Sequence, residues 1–100
     1  MAQMQSFAPG FGSGQTVTGG AASAVAALLG ATSTALCLTN TGTATIYIRT
    51  DGPNAVATIA DYPVLSGQQV TITINADHTH IAYIAPSGAP TLHVMRGEGF

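Results

Sequence analysis

Charged residues are scarce in this sequence. Only 6% of its 100 residues are charged, whereas an average soluble domain has about 25%. Lysine is absent, so Arg49 and Arg96 are the only side chains that carry a permanent positive charge. Proteins that bind nucleic acid electrostatically need a cluster of basic side chains to displace counterions from phosphates. We therefore expect no nucleic-acid partner.

Side chains suited to catalysis are also few. The spacing of Asp61 and Asp77 does not pair them as a general acid and base, and Ser87 lacks the sequence pattern of a nucleophile elbow. The glycine-rich segment 10–14 has no lysine of the kind that a phosphate-binding loop requires. These observations predict a protein that is not an enzyme and has no cofactor.

Disulfide pairing is excluded within the chain, because Cys37 is the only cysteine. Cys37 lies between two leucines, and we expect it to be a small buried hydrophobic residue. Tryptophan is absent as well. Without a cysteine pair and a tryptophan, the chain lacks the marks of an immunoglobulin domain.

Long hydrophobic runs are missing. The longest apolar stretch, residues 21–29, is interrupted by Ser23 and is too short to cross a bilayer. Residues 1–5 contain neither the basic nor the apolar region of a secretory signal. We expect a protein made in the cytoplasm, with no membrane association. Its length fits one domain.

Short runs rich in β-branched residues follow one another from Gln15 onward, separated by Gly, Asn, Asp and Pro. Polar and apolar residues alternate most clearly over 69–75 and 44–50, as expected of half-buried strands. Residues 21–29 are ambiguous, because Ala and Leu favour a helix while the flanking glycines favour a strand; we favour the strand. The other candidates are 15–18, 34–39, 55–60 (weak), 80–85 and 91–96, and Tyr62-Pro63 predicts a bend or an edge.

Seven or eight short strands without long crossovers predict an all-β fold, either an antiparallel β-sandwich or a small jelly roll. We assign it to residues 15–100. Residues 1–14 show no strand or helix period and are interpreted as a flexible, extended N-terminal arm. The arm carries Phe7 and Phe11, which could become ordered by docking on a neighbouring subunit.

A surface so poor in charge fits either a soluble monomer coated with Thr, Ser, Gln and Asn or a subunit that is covered by copies of itself or by a partner, and we favour the subunit. We expect a homo-oligomer, and nothing in the sequence distinguishes a dimer from a trimer. Candidate contact residues are Phe7 and Phe11 in the arm, Arg49 on a strand, and Arg96 and Phe100 at the C-terminal end. Arg49 could instead form a local ion pair with the nearby Asp51.

Three histidines are candidate metal ligands. On a strand, His78 and His80 would lie on the same face, and His93 could join them from an adjacent strand. No carboxylate or thiolate pattern accompanies them. We therefore expect no metal site.

Several turn and strand segments resemble small β-rich virion proteins of tailed bacteriophages. They are Asn40-Thr41-Gly42 leading into Ile46-Tyr47-Ile48-Arg49, the segment 62–67, Tyr83-Ile84-Ala85, and Arg96-Gly97-Glu98-Gly99, and the resemblance extends over about residues 34–100. It implies a capsid decoration or cement protein that binds the outer surface of the virion and clamps neighbouring subunits of the major capsid protein.

A tail, neck or fibre component that acts as a binding module is the alternative function. In that case exposed loops such as 51–54 or 86–90 would contact a host receptor or glycan. The loops contain few aromatic residues, which makes stacking on sugars improbable.

Overall fold

The computed structural model describes residues 7–9, 12, 14–29 and 34–99. These residues form nine β-strands and no helix. The strands are β1 (Phe7–Pro9), β2 (Gln15–Thr18), β3 (Ala24–Ala27), β4 (Ala35–Asn40), β5 (Ile46–Asp51), β6 (Tyr62–Val64), β7 (Gln69–Thr73), β8 (His80–Ile84) and β9 (Thr91–Gly99).

The strands form two antiparallel sheets. The first has the order β1-β9-β4-β7, and β2 also pairs with β9. Because β2 pairs with residues 91–94 of β9 and β1 with residues 97–99, the two short strands share one side of β9 and the sheet is four strands wide. The second sheet has the order β3-β8-β5-β6.

The pairing is that of a jelly roll. Strand β5 pairs with β6, β4 with β7, β3 with β8, and β2 with β9, so the pairs are nested around the β5–β6 connection. Successive pairs belong alternately to the second and the first sheet. A long hairpin rolled in this way over two packed sheets defines the jelly roll. The predicted all-β sandwich is confirmed.

Alternating side chains build the core. In β4 and β9 the buried Leu36, Leu38, Leu92 and Val94 point inward from the first sheet, and Ile46, Ile48, Val64 and Ile81 meet them from the second sheet. Residues in between point outward, as the two-residue period of a strand requires. Alternation thus directs one set of side chains from each sheet into the core.

Two uncertain segments differ in outcome. Of residues 21–29, only Ala24–Ala27 form a strand, and its exposed position at the sheet edge explains the weak sequence pattern. Residues 55–60 form no strand; they belong to the connection between β5 and β6. Pro63 lies on β6, an edge strand that pairs with β5 alone, which confirms the predicted edge.

Asn40 joins the two sheets at one end of the sandwich. Its buried amide donates to the carbonyls of Ala44 (2.8 Å) and Val64 (3.0 Å), and its Oδ1 accepts from the N–H of Gly42 (2.9 Å). A Cβ at Gly42 would lie 2.5 Å from the Pro90 Cα, so only glycine fits this close approach of two backbones.

The described part of the N-terminal arm contacts the domain itself. Strand β1 pairs with Gly97–Gly99 of β9, and a Cβ at Gly14 would lie 3.2 Å from the Met95 methyl. Residues 7–9 are therefore a strand of the first sheet and not a free arm, which corrects the expectation for these three residues. The prediction for residues 1–6, 10, 11 and 13 lies outside the described residues.

Candidate functional surfaces

The β5–β6 loop, residues 52–61, crosses the outer face of the second sheet. At one side the Ala57 N–H donates to Ser23 Oγ next to β3 (2.8 Å), and at the other Asp61 pairs with Arg49 of β5 (2.9 Å). Strand β8 lies between β3 and β5. Ala82 of β8 is the register partner of both Val25 and Arg49, so it points outward with them, yet it is fully buried because the loop covers it.

Apolar side chains are exposed where this loop covers the sheet. Ile59 is 67% exposed, Val56 is 59% exposed, and Val25 on the neighbouring β3 is 41% exposed. We call these three residues the apolar patch. Because exposed apolar patches are typical of interaction surfaces, these residues are the candidate contact surface of this face.

A hydrogen-bonded turn holds Ile59 in place. The Asp61 N–H donates to the Thr58 carbonyl (3.0 Å), and the Thr58 N–H donates to Asp61 Oδ2 (2.7 Å). The Ala60 N–H donates to Thr58 Oγ1 (3.2 Å). Asp61 Oδ1 in turn accepts from Arg49 Nε (3.0 Å). Among the described residues, the most exposed large apolar side chain is thus presented on a turn that four hydrogen bonds hold.

The environment of Asp61 lowers the pKa of its carboxyl group. Burial acts to raise this pKa, since it penalises the charged form. The Thr58 N–H and the Arg49 guanidinium together outweigh that effect, because both stabilise the carboxylate. The turn that presents Ile59 therefore favours the ionised form of Asp61.

The two arginines differ in how they compare with the sequence-based expectation. Arg49 points outward, as expected of a surface residue, but its ion-pair partner is Asp61 and not Asp51. Arg96 is only 2% exposed, which corrects its assignment as a docking contact. Its position on the inward face of β9, with Leu92 and Val94, explains the burial.

The buried Arg96 guanidinium is bound by backbone carbonyls of the β7–β8 loop, residues 74–79. Nη1 donates to His78 O (2.6 Å), and Nη2 donates to Ala76 O (3.2 Å) and Asn75 O (3.4 Å). Carbonyl dipoles thus solvate a buried cation, which is costly to bury unless it is hydrogen-bonded. Arg96 is a structural residue that holds this loop.

The phenylalanine candidates are described only in part. The structure gives the backbone of Phe7 as the first residue of β1. Phe11 and Phe100 lie outside the described residues. Sequence reasoning missed Val56 and Ile59. Apolar residues between Pro53 and Pro63 that fit no strand period were the available signal.

The three histidines do not converge on one site. His78 Nδ1 hydrogen-bonds with Thr50 Oγ1 (2.7 Å), and His80 Nδ1 with the hydroxyl of its neighbour Thr79 (2.8 Å). His93 lies on β9, in the other sheet. Among the residues that the structure describes, no group of three or more His, Cys, Asp and Glu side chains could hold a metal ion.

An open groove of about 490 Å³ lies on the outer face of the first sheet. Cys37, Thr39, Gln69, His93 and Met95 are among the residues that line it. Cys37 is half-buried and faces this groove, whereas the sequence predicted a buried residue. In β4 the residues on either side of it, Leu36 and Leu38, take the inward positions.

No family model matches the chain, and no curated protein matches it either. Over the described ranges, the fold contains no helix of the length and apolar character needed to cross a membrane.

Proposed function

We propose that this protein is a structural virion protein that decorates and stabilises a bacteriophage capsid. In this proposal it binds the outer surface of the shell, clamps neighbouring subunits of the major capsid protein, and catalyses no reaction. The proposal combines the resemblance of residues 34–100 to phage virion proteins with the surface of the jelly roll.

The apolar patch carries the proposal. Ile59 and Val56 project from a loop that is fastened at both sides of the sheet, by Ser23 and by Arg49. Little conformational entropy is lost when an already ordered loop binds a partner, so its exposed side chains contribute more of their burial energy to affinity. Full burial of such a side chain is worth about 1.5–3 kcal/mol.

Charge distribution supports an apolar mode of contact. Both arginines are engaged within the chain, Arg49 with Asp61 and Arg96 with the β7–β8 loop. The remaining carboxylates, Asp51, Asp77 and Glu98, are exposed. Binding to a shell would therefore rest on apolar and hydrogen-bonded contacts, and we expect it to depend little on salt.

Repetition would convert modest contacts into stable decoration. A homo-oligomer that touches several shell subunits at once makes its second and later contacts intramolecular, which raises the overall affinity by about 10²–10⁴. A small domain with one apolar patch is sufficient for this mode of binding.

The test compares Ile59→Asn with Leu65→Asn in binding to capsids that lack the protein. Leu65 is a matched control: it is 52% exposed but follows β6 at the end remote from the β5–β6 loop. We expect Ile59→Asn to lower the affinity roughly tenfold, and Leu65→Asn to leave it unchanged.

Both variants should unfold at the same urea concentration as the wild type, because both side chains are exposed. Equal binding by wild type and Ile59→Asn would contradict the role of the patch. Failure of the wild type to bind any capsid would contradict the proposed function as a whole.

A further inference from the structure

Open β-sheets expose strand edges, and soluble proteins normally obstruct them. Each edge carries backbone N–H and C=O groups that can pair with another chain. This sandwich has two open sheets and therefore four edges, formed by β6, by β3, by β1 with β2, and by β7.

The two edges of the second sheet are obstructed. Strand β6 has only three residues, and Pro63 at its centre has no N–H. At β3, the Gln15 side chain occupies the backbone groups: its Nε2 donates to Ala27 O (3.0 Å), and its Oε1 accepts from the Leu29 N–H (2.9 Å). The amide of Gln15 thus blocks the C-terminal end of this edge, and β3 itself has only four residues.

The edge along β9 is broken into two short pieces. Strand β1 has three residues and ends in Pro9, and β2 has four residues. Gly12, between them, has a positive φ of 89°, which interrupts the extended backbone. No long pairing surface is available on this side.

Strand β7 is different, because nothing in the described part of the chain obstructs it. It pairs with β4 alone. The Ile74 N–H donates to Thr34 O (2.7 Å) and the Asn40 N–H to Gln68 O (2.9 Å), so even-numbered residues of this segment turn their backbone groups toward β4. Alternation then directs the N–H and C=O groups of Gln69, Thr71 and Thr73 outward.

The side chains of β7 favour pairing as well. Its sequence, QVTIT, contains no charge, proline or glycine and is rich in β-branched residues. Val70 and Ile72 pack against the core but remain half-buried, since no strand lies beyond them. An added strand would cover both.

We propose that two copies of this chain pair through β7 in antiparallel orientation, with the two-fold axis at Thr71. Thr71 then lies opposite Thr71 of the second copy, and Gln69 lies opposite Thr73. All three outward-facing residues form hydrogen-bonded pairs, each of which exchanges two N–H···O bonds.

The same register brings the apolar side chains together. Val70 of one copy lies opposite Ile72 of the other, on the inward face of both sheets. The two first sheets become one continuous sheet, and the two cores meet beneath it. This pairing uses only the protein's own surface and does not depend on the proposed capsid role.

The axis position gives a sharp test. Thr71→Lys or Thr71→Asp would place two like charges directly opposite each other in the dimer, which is unfavourable, while the exposed position tolerates either residue in the monomer. We expect each variant alone to dimerise about fivefold more weakly than the wild type. An equimolar mixture of the two should form a mixed dimer more tightly than either does alone.

Sedimentation of the purified full chain, of 10.0 kDa, measures these affinities. Ser87→Lys is the matched control, because it adds the same charge at an exposed turn between β8 and β9; it should dimerise like the wild type. Thr71→Pro should abolish the dimer, since it removes an N–H that makes no bond within the monomer.

Hydrogen exchange of the wild-type protein tests the proposal without any substitution, so its result does not depend on whether a variant folds. Amide hydrogens of Gln69, Thr71 and Thr73 should exchange slowly in concentrated wild-type solution and rapidly in dilute solution. The proposal is overturned if these amides exchange rapidly at both concentrations, if the wild type is a monomer or trimer at high concentration, or if Thr71→Lys dimerises as tightly as Ser87→Lys.

Discussion

Single polar side chains fasten the loops of this protein to its sandwich. Asn40 holds the β4–β5 connection, Arg96 the β7–β8 loop and Asp61 the end of the β5–β6 loop. Among the described residues, every buried side-chain nitrogen or oxygen has a hydrogen-bond partner. The two buried polar side chains of the described residues, Asn40 and Arg96, both fix the conformation of a loop.

Asp61 makes this dependence sensitive to pH. We expect Asp61→Asn to be less stable than the wild type at pH 7, by roughly 1 kcal/mol or less, because Arg49 is half exposed and solvent screens the pair. Since folding lowers the pKa of Asp61, its contribution is complete above the ordinary value of 3.8 and is lost as the pH falls through the folded-state pKa.

Urea unfolding at pH 7 and at successively lower pH measures this contribution. The stability difference between wild type and Asp61→Asn should shrink below pH 3.8, because Asp61 becomes protonated in the folded state too. A difference that is constant across this range would show that the Asp61 charge does not stabilise the turn.

The β7–β8 loop is held by hydrogen bonds more than by burial of its own side chains, most of which are exposed. The β7–β8 loop exposes Asn75, Ala76 and Asp77, and the guanidinium of Arg96 binds it from the core side. Hydrogen bonds to a charged group contribute about 1.5–3 kcal/mol. We therefore expect Arg96→Met to destabilise the fold by about 2–3 kcal/mol.

Hydrogen exchange locates that effect in the loop. The amides of His78 and Thr79, which donate to Asn75 O and Asp51 O, should exchange faster in Arg96→Met. Arg49→Met is the matched control, because it removes the other arginine and should leave both amides protected. Unchanged exchange in Arg96→Met would contradict the fastening role.

Strands were predictable where one face is buried and one is solvated. Residues 69–75 alternate because each second side chain meets the core, and the sequence shows it directly. The β5–β6 loop could not be predicted, since its position over Ala82 depends on long-range contacts with Ser23 and Arg49. The burial of Arg96 was also hard to predict. Its charge favoured a position on the surface, whereas its place in the alternation of β9, on the same face as Leu92 and Val94, indicated the core.

At the scale of the whole molecule, a jelly roll combines three unequal surfaces. The outer face of the second sheet carries the apolar patch, and the outer face of the first sheet carries the open groove. The β7 edge carries unpaired backbone groups. Composition predicted a surface poor in charge and suited to contact, but only the fold shows where the contact surfaces lie.

The copy number of this protein in purified virions, relative to the major capsid protein, tests the central claim most directly. Quantitative mass spectrometry would measure it. Decoration predicts a copy number equal to that of the capsid protein or a simple fraction of it. A dozen copies or fewer would contradict decoration and favour the tail, neck or fibre alternative, and complete absence from virions would contradict a virion role altogether.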